Sequence, residues 1–137
     1  ETTTWVLVFD DYAHNPQTVQ AALQGARELY PDRRITAVFQ PHLYSRTKSL
    51  IADFAKSFMD ADRVILAPIY AAREAYDATV TSDLLAQEIK KHHSDVSFLD
   101  NFQKIETDLL SNTTKGDVVI MMGAGDITKL SESFVKR

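Results

Sequence analysis

The segment WVLVFDDYAHNP, residues 5–16, holds a strand, a loop and the beginning of a helix. The apolar run at 5–9 is typical of a buried β-strand. Asn15 followed by Pro16 is typical of a helix N-cap with proline at the first helical position. The segment therefore predicts a strand–loop–helix unit, with polar side chains concentrated in its loop.

The same unit recurs along the whole chain. Apolar, β-branched runs predict strands at 5–9, 35–39, 64–70, 96–99 and 118–122. Between and after them, helical spacing of apolar residues occurs at 19–30, 50–58, 85–89, 102–109 and 127–134. Thr81 or Ser82 is a candidate cap for the third helix, and Asp126 for the last. Strict alternation predicts an α/β fold: a Rossmann-like, three-layer domain with a mostly parallel sheet.

Composition limits the classes of function. The 137 residues suit one domain with its own core. There are no cysteines, which excludes disulfides, thiolate zinc sites and cysteine nucleophiles. A net charge of −4 without a basic patch argues against nucleic acid and anionic lipid as partners. The apolar runs are too short to span a bilayer, so we expect a soluble protein, with the cytoplasm as its default location.

Ligands of open parallel sheets bind beyond the carboxyl ends of the strands, where the strand-to-helix loops gather. The unusual polar residues of this chain fall in such loops, at 10–16, 40–47, 70–74 and 123–126. We therefore expect a binding site at this edge of the sheet.

The first loop offers two carboxylates and an imidazole. Asp10 and Asp11 could bind a metal or accept hydrogen bonds from sugar hydroxyls, or could simply mark the end of the strand in solvent. Adjacent strand residues point to opposite faces, so at most one is expected to be a ligand group. His14 could contact an anion or act as a base near neutral pH, and the alternative is an exposed loop histidine.

The second loop offers a candidate anion clamp. Arg46 lies at the start of a helix, where free N–H groups already favour an anion, and its guanidinium suits a carboxylate or phosphate. The alternative is a surface arginine, although a cation there opposes the helix dipole. His42 and Tyr44 add donors, but Tyr44 could equally pack against a neighbouring helix.

The fourth loop is a weak nucleotide motif. Gly123 and Gly125 permit a tight turn, but Thr128 stands where a third dinucleotide-binding glycine would be. A turn into a helix capped by Asp126 is the better interpretation. No G-x-x-x-x-G-K-[ST] phosphate loop occurs in the chain, so it lacks a recognisable site for activating ATP.

Four stretches on successive strand ends, DDYAHNP, AVFQPHLYSRT, IYAARE and GAGDI, resemble the C-terminal domain of the Mur ligases. The resemblance covers essentially the whole chain, 1–137. The FQPH-x-YSRT stretch is most similar to the members that join L-alanine to UDP-N-acetylmuramate. The resemblance implies a cytoplasmic, three-domain enzyme of peptidoglycan synthesis. The other two domains would hold the uridine nucleotide and the phosphate loop, and a chain that begins at Glu1 is expected to be one piece of it.

The resemblance also implies a chemistry and residue roles. The muramate carboxylate attacks ATP to give an acyl phosphate, and the alanine amine then displaces phosphate. ATP and Mg²⁺ would be held mainly by the central domain, on which this domain packs. Asp11 would accept hydrogen bonds from the ATP ribose, and Tyr12 and His14 would border the nucleotide and the amino-acid region. His42 and Arg46, with Tyr44 beside them, would hold the alanine carboxylate. No catalytic or metal-binding residue is assigned in this chain, which is expected to be a clamp without activity of its own.

Three positions depart from the family pattern. Relatives often have histidine at Asn15, arginine at Leu43 and glycine at Arg73. The missing guanidinium at Leu43 leaves the preferred amino acid open, and Arg73 offers a possible replacement from the neighbouring loop.

Two alternatives stay open, and a third fails. A murein-tripeptide recycling ligase of the same family is one, and a stand-alone module that binds small anions is another. A response-regulator receiver domain would need an aspartate after the third strand and a lysine after the fifth. The chain has 67–70 (APIY) and 123–125 (GAG) there, which excludes it.

Overall fold

The computed structural model of the chain describes residues 6–135. Its elements are β1 Leu7–Asp11, α1 Pro16–Leu29, β2 Ile35–Phe39, α2 Tyr44–Ser49, α3 Ile51–Ala55, β3 Arg63–Leu66, α4 Ser82–Lys90, β4 Val96–Phe98, α5 Phe102–Asn112, β5 Val118–Met122 and α6 Ile127–Val135.

The five strands form one sheet in the order β1-β5-β2-β3-β4, and every neighbouring pair is parallel. Alternate side chains of β5 enter two separate core clusters, Ile120 on one face and Met121 on the other. The first cluster contains residues of α1, α3 and α4, and the second contains residues of α5 and α6. The predicted three-layer α/β fold is therefore confirmed.

The chain changes face once on its way through the sheet. The connections from β1 to β2, β2 to β3 and β3 to β4 cross the first face, and α5 returns along the second face to β5. The loop after β5 consequently leads to α6 on the second face, whereas the loops after its neighbours β1 and β2 lead to helices on the first face. Such a switch point opens a crevice at the carboxyl edge of the sheet.

Three strands differ from their predicted bounds, and β4 differs only by ending one residue early, at Phe98. The first strand was predicted at 5–9, but β1 is Leu7–Asp11 and includes both carboxylates, while Trp5 lies outside the described residues. The third strand was predicted at 64–70, but β3 ends at Leu66. Pro68 lacks the N–H that a further ladder hydrogen bond needs, so the apolar run continues as loop.

The second helix also differs from its prediction. The apolar spacing at 50–58 indicated one helix, but the structure has two, α2 and α3, which meet at Leu50 with a φ of −113°. The helix therefore starts six residues earlier than its apolar face suggested, at Tyr44. This early start brings Arg46 into the first turn of α2, as the loop motif predicted.

Two of the predicted helix caps are confirmed. Asn15 caps α1 with its side chain, which accepts from Thr18 N–H at 2.9 Å. Asn15 N–H in turn donates to the Thr18 hydroxyl oxygen. Of the two candidates for α4, Thr81 is the cap, and it accepts from Leu84 N–H at 3.1 Å. These caps fix where the first and third strand-to-helix loops end.

Candidate functional site

Four loops meet at the carboxyl edge of the sheet and form a surface that we call the rim, residues 11–15, 40–47, 70–80 and 123–126. Backbone hydrogen bonds join neighbouring loops: Gly123 N–H donates to Asp11 O at 3.1 Å, and Tyr70 N–H donates to Pro41 O at 2.8 Å. The same four loops were predicted to gather here.

A row of four rings crosses the rim. The ring centroids of Tyr12 and His14 lie 5.5 Å apart, those of His14 and His42 5.9 Å, and those of His42 and Tyr70 5.6 Å. The first two contacts are edge-to-face, and Tyr70 stacks on His42 at an interplanar angle of 16°. The two histidines, from loops after different strands, are therefore neighbours.

The hydrogen bond of His14 fixes its tautomer. Its Nδ1 lies 3.0 Å from the carbonyl oxygen of Tyr12. A carbonyl only accepts, so Nδ1 must carry the proton and donate it. When the ring is neutral, Nε2 keeps its lone pair and can accept a hydrogen bond from a ligand.

The surroundings of His42 lower the pKa of its ring. Burial lowers the pKa of His42, the charges of Arg46 and His14 lower it further, and Glu74 opposes them. Its Nδ1 is buried and has no hydrogen-bond partner among residues 6–135. A buried ring nitrogen without a hydrogen-bond partner is uncommon in folded proteins.

Arg46 lies in the first turn of α2, and in the described part of the chain its guanidinium has no hydrogen-bond or ion-pair partner. The helix start beside it is already occupied by a carboxylate. Glu74 accepts from Ser45 N–H at 3.2 Å and also from the Ser45 hydroxyl. This explains how a cation is tolerated at a helix N-terminus, and it leaves the guanidinium free for a ligand.

The carboxylates of β1 end in solvent. Asp10 and Asp11 are both exposed. Asp11 accepts from Ala13 N–H at 2.8 Å, which shapes the loop and leaves its second oxygen available. Tyr12 next to it is 72% exposed, so its ring offers an open face. Among the described residues, no group of three or more metal-binding side chains is found.

Tyr44 and Arg73 are two further candidates of the rim. Tyr44 packs edge-to-face on Tyr76 at 5.7 Å, so its packing partner is the loop before α4 and not a helix. Arg73 is exposed, and no residue in 6–135 pairs with its guanidinium. The structure does not bring Arg73 into contact with the ring row.

The start of α6 is hydrogen-bonded to Gln40, the residue that follows β2. Gln40 donates from Nε2 to Asp126 at 2.8 Å, and its Oε1 accepts from Ile127 N–H at 3.2 Å. Asp126 stands directly before α6, where it was predicted as the cap, and its side chain accepts from Gln40, which also satisfies the first N–H of the helix. A Cβ on Gly125 would lie 2.5 Å from Tyr70 Cγ, so only glycine fits against this ring.

Sequence reasoning placed Tyr70, Gln40 and Glu74 in the correct loops but gave them no role. Each acts through a contact with a distant part of the chain: Gln40 meets Asp126 across 86 positions, and Glu74 meets Ser45 across 29. An available signal was the position of Gln40 and Tyr70, directly after the strands whose ends build the rim.

The chain belongs to the Mur ligase family: residues 2–125 match the Mur ligase, glutamate ligase domain. Among curated proteins, it is 47% identical over 131 residues to UDP-N-acetylmuramate–L-alanine ligase of Lachnospira eligens, which covers 96% of this chain. The chain spans only 28% of the length of that relative.

Solved structures share the fold. UDP-N-acetylmuramate–alanine ligase of Thermotoga maritima superposes with a TM-score of 0.75 at 29% identity, over 95% of this chain and 26% of that one. A murein peptide ligase of Psychrobacter arcticus also gives a TM-score of 0.75, at 20% identity, over 99% of this chain and 28% of that one. Within 6–135, no helix is long and apolar enough to cross a membrane.

Proposed function

We propose that the chain is the C-terminal, substrate-clamping domain of an ATP-dependent ligase that joins L-alanine to UDP-N-acetylmuramate in peptidoglycan synthesis. The observation that carries this proposal is the meeting of His14, His42 and Arg46 at one rim, in a chain 47% identical to a ligase with that name. The nucleotide-binding and ATPase domains would lie elsewhere in a longer protein, and this domain would pack on the ATPase domain.

The amino-acid carboxylate would bind to His42 and Arg46. The guanidinium of Arg46 has no partner in the described chain, and its fork matches a carboxylate in geometry and charge. His42 lies close enough for Arg46 to lower its pKa, and its ring is anchored by Tyr70. A charge-assisted hydrogen bond of this kind contributes about 1.5–3 kcal/mol, which suffices for recognition and positioning.

The nucleotide would meet the other end of the ring row. Asp11 keeps one free carboxylate oxygen in solvent, which fits an acceptor for ribose hydroxyls. Tyr12 offers an exposed ring, and Nε2 of His14 offers an acceptor. These groups would suit part of ATP. Mg²⁺ would be held mainly by the ATPase domain, as the resemblance to the Mur ligases implies.

The contribution of this domain would be orientation. Bound ATP would supply the phosphoryl group that activates the carboxylate of UDP-N-acetylmuramate. Arg46 and His42 would hold the alanine by its carboxylate, so that its amine faces the activated carbon and water is excluded. No residue of this chain is assigned to the chemical step itself.

A second candidate is the murein peptide ligase. The structure of that protein superposes as well as the alanine ligase does, with a TM-score of 0.75 in both cases. Sequence identity favours the alanine ligase, 29% against 20%. A stand-alone module that binds small anions is the third candidate, favoured only by the free guanidinium of Arg46.

The test is phosphate release by the full-length ligase with UDP-N-acetylmuramate and ATP, across a panel of amino acids and one muropeptide. We expect turnover with L-alanine to exceed that with every other amino acid. The 137-residue chain alone should show no ATP-dependent ligation. Turnover by this chain alone, or use of a tripeptide in place of alanine, would contradict the proposal.

A further inference from the structure

The contact between Glu74 and the first turn of α2 is the basis of a further inference. The carboxylate accepts hydrogen bonds from the backbone and hydroxyl of Ser45 and from the backbone of Tyr44. These bonds, with the nearby charge of Arg46, lower the pKa of Glu74. Glu74 is therefore an anion across the neutral range, placed next to the free guanidinium.

Two strained turns bracket this contact. Leu43 (φ 71°) and Ala72 (φ 54°) are the two non-glycine residues with positive φ in the described chain. Leu43 immediately precedes α2, and Ala72 lies in the turn that Glu74 N–H closes by donating to Ala71 O at 2.9 Å. Residues with a Cβ adopt such φ values only when their surroundings impose them, and this occurs most often at functional sites.

Further bonds tie the same two loops together. Leu43 N–H donates to Tyr70 O at 2.8 Å, and His42 forms an isolated parallel bridge with Tyr70. Farther along, Lys48 donates to Thr79 at 3.0 Å. The loop after β3 thus holds the residues on both sides of Leu43, and with them the ring of His42 and the start of α2.

From these contacts we propose that Glu74 is a positioning residue for the amino-acid carboxylate site. It satisfies the first N–H groups of α2 with a carboxylate of the protein. The backbone that carries Arg46 is thereby held at the start of α2, next to His42, and both side chains stay free for the substrate. This inference rests on the proposed function of His42 and Arg46.

The first test is a double-mutant cycle in the full-length ligase, with Glu74→Ala, Ser45→Ala and the double variant. We expect Glu74→Ala to raise KM for alanine about 10-fold and Ser45→Ala about 5-fold. Both variants remove the hydrogen bond from the Ser45 hydroxyl to the Glu74 carboxylate. The double variant should therefore be no worse than Glu74→Ala alone. The KM for UDP-N-acetylmuramate and kcat should stay within about 2-fold in all three.

Asp77 provides a matched control in the same loop. It is also a carboxylate whose pKa is lowered by local hydrogen bonds, in this case to Thr79. We expect Asp77→Ala to leave KM for alanine within about 2-fold of wild type. An equal rise in Asp77→Ala, or additive effects of Glu74→Ala and Ser45→Ala, would overturn the inference.

A readout independent of activity uses the 137-residue chain. Because the charge of Glu74 raises the pKa of His42, Glu74→Gln should lower the NMR titration midpoint of His42, and Asp77→Asn should not. An unchanged midpoint in Glu74→Gln would refute the proposed placement of Glu74.

If Arg46→Ala raises KM for alanine and Glu74→Ala does not, the positioning role fails alone. If neither does, the proposed carboxylate site fails as well.

Discussion

Arginine side chains at the two edges of the sheet differ in whether they have an ion-pair partner. At the amino edge, Arg63 contacts Asp108 through Nη1 at 2.6 Å and donates from Nη2 at 2.8 Å, and Arg27 pairs with Asp62 at 2.7 Å. At the carboxyl edge, the guanidinium of Arg46 has no partner in the described chain. These two amino-edge arginines are paired within the fold, whereas Arg46 and Arg73 at the carboxyl edge have no partner in residues 6–135.

This difference separates stability from recognition. Loss of a paired, buried cation leaves its carboxylate without a partner, so it should lower the free energy of unfolding. An unpaired cation contributes little to folding, so its presence at a rim of rings and imidazoles needs another reason. The same residue type is thus expected to give opposite mutant phenotypes at the two edges.

The largest expected effect is on stability at the amino edge. Arg63 is buried, and Asp108 is 22% exposed at its side chain. Arg63→Ala leaves that carboxylate without its partner, and we expect the free energy of unfolding to fall by about 3 kcal/mol. Urea denaturation of the 137-residue chain measures it. Arg46→Ala is the matched control, with an expected change within about 0.5 kcal/mol. An equal fall in the free energy of unfolding for the two variants would contradict the proposed difference between the edges.

The next effect is on substrate binding at the carboxyl edge. In the full-length ligase, Arg46→Ala should raise KM for alanine at least about 10-fold, because it removes about 1.5–3 kcal/mol of charge-assisted hydrogen bonding. The KM for UDP-N-acetylmuramate should change little. Arg34 is the control at the other edge, since it bonds Asn112 O at 2.9 Å and pairs with Asp117. Initial-rate kinetics should give Arg34→Ala the wild-type KM for alanine, and a rise there would argue for a general loss of folding.

A smaller effect concerns the packing of the rim. In Gly125→Ala the new Cβ would overlap the ring of Tyr70, so we expect a loss of about 1 kcal/mol and a displaced stack on His42. Gly25, inside α1, has no atom within 4 Å of a built Cβ. Gly25→Ala should therefore stabilise the chain by about 0.5–1 kcal/mol. Thermal unfolding measures both, and a gain in both variants would mean that the close approach at Gly125 is not required.

The smallest effect is a pH dependence. Because the pKa of His42 in the folded state lies below its ordinary value of 6.5, the unfolded chain binds this proton more readily. The free energy of unfolding should fall as pH drops below about 6.5. In His42→Asn this contribution is absent, so urea midpoints at pH 7 and pH 5.5 should differ less than in wild type. A larger difference in the variant would contradict the lowered pKa.

The sequence predicted best what depends on local pattern. The central strands β2 and β5 have the predicted bounds, because a strand buried on both faces is a continuous apolar run. The cap at Asn15 was also correct, since its partner Thr18 is three residues away. The loops of the rim followed from the order of strands and helices alone.

What the sequence did not predict depends on distant contacts. The break at Leu50 divides a helix whose apolar spacing continues through it. The carboxylate that Glu74 brings to α2 and the acceptor that Gln40 brings to α6 come from 29 and 87 positions away. Periodicity and capping rules describe neighbours in the chain, so they could not assign these partners.

The central claim is that Arg46 recognises the carboxylate of the incoming amino acid. The most direct measurement compares kcat/KM for L-alanine and L-alaninamide in the full-length ligase, in wild type and in Arg46→Ala. If the claim is right, wild type prefers alanine by at least about 10-fold and Arg46→Ala loses most of that preference. An equal preference in both proteins would contradict it.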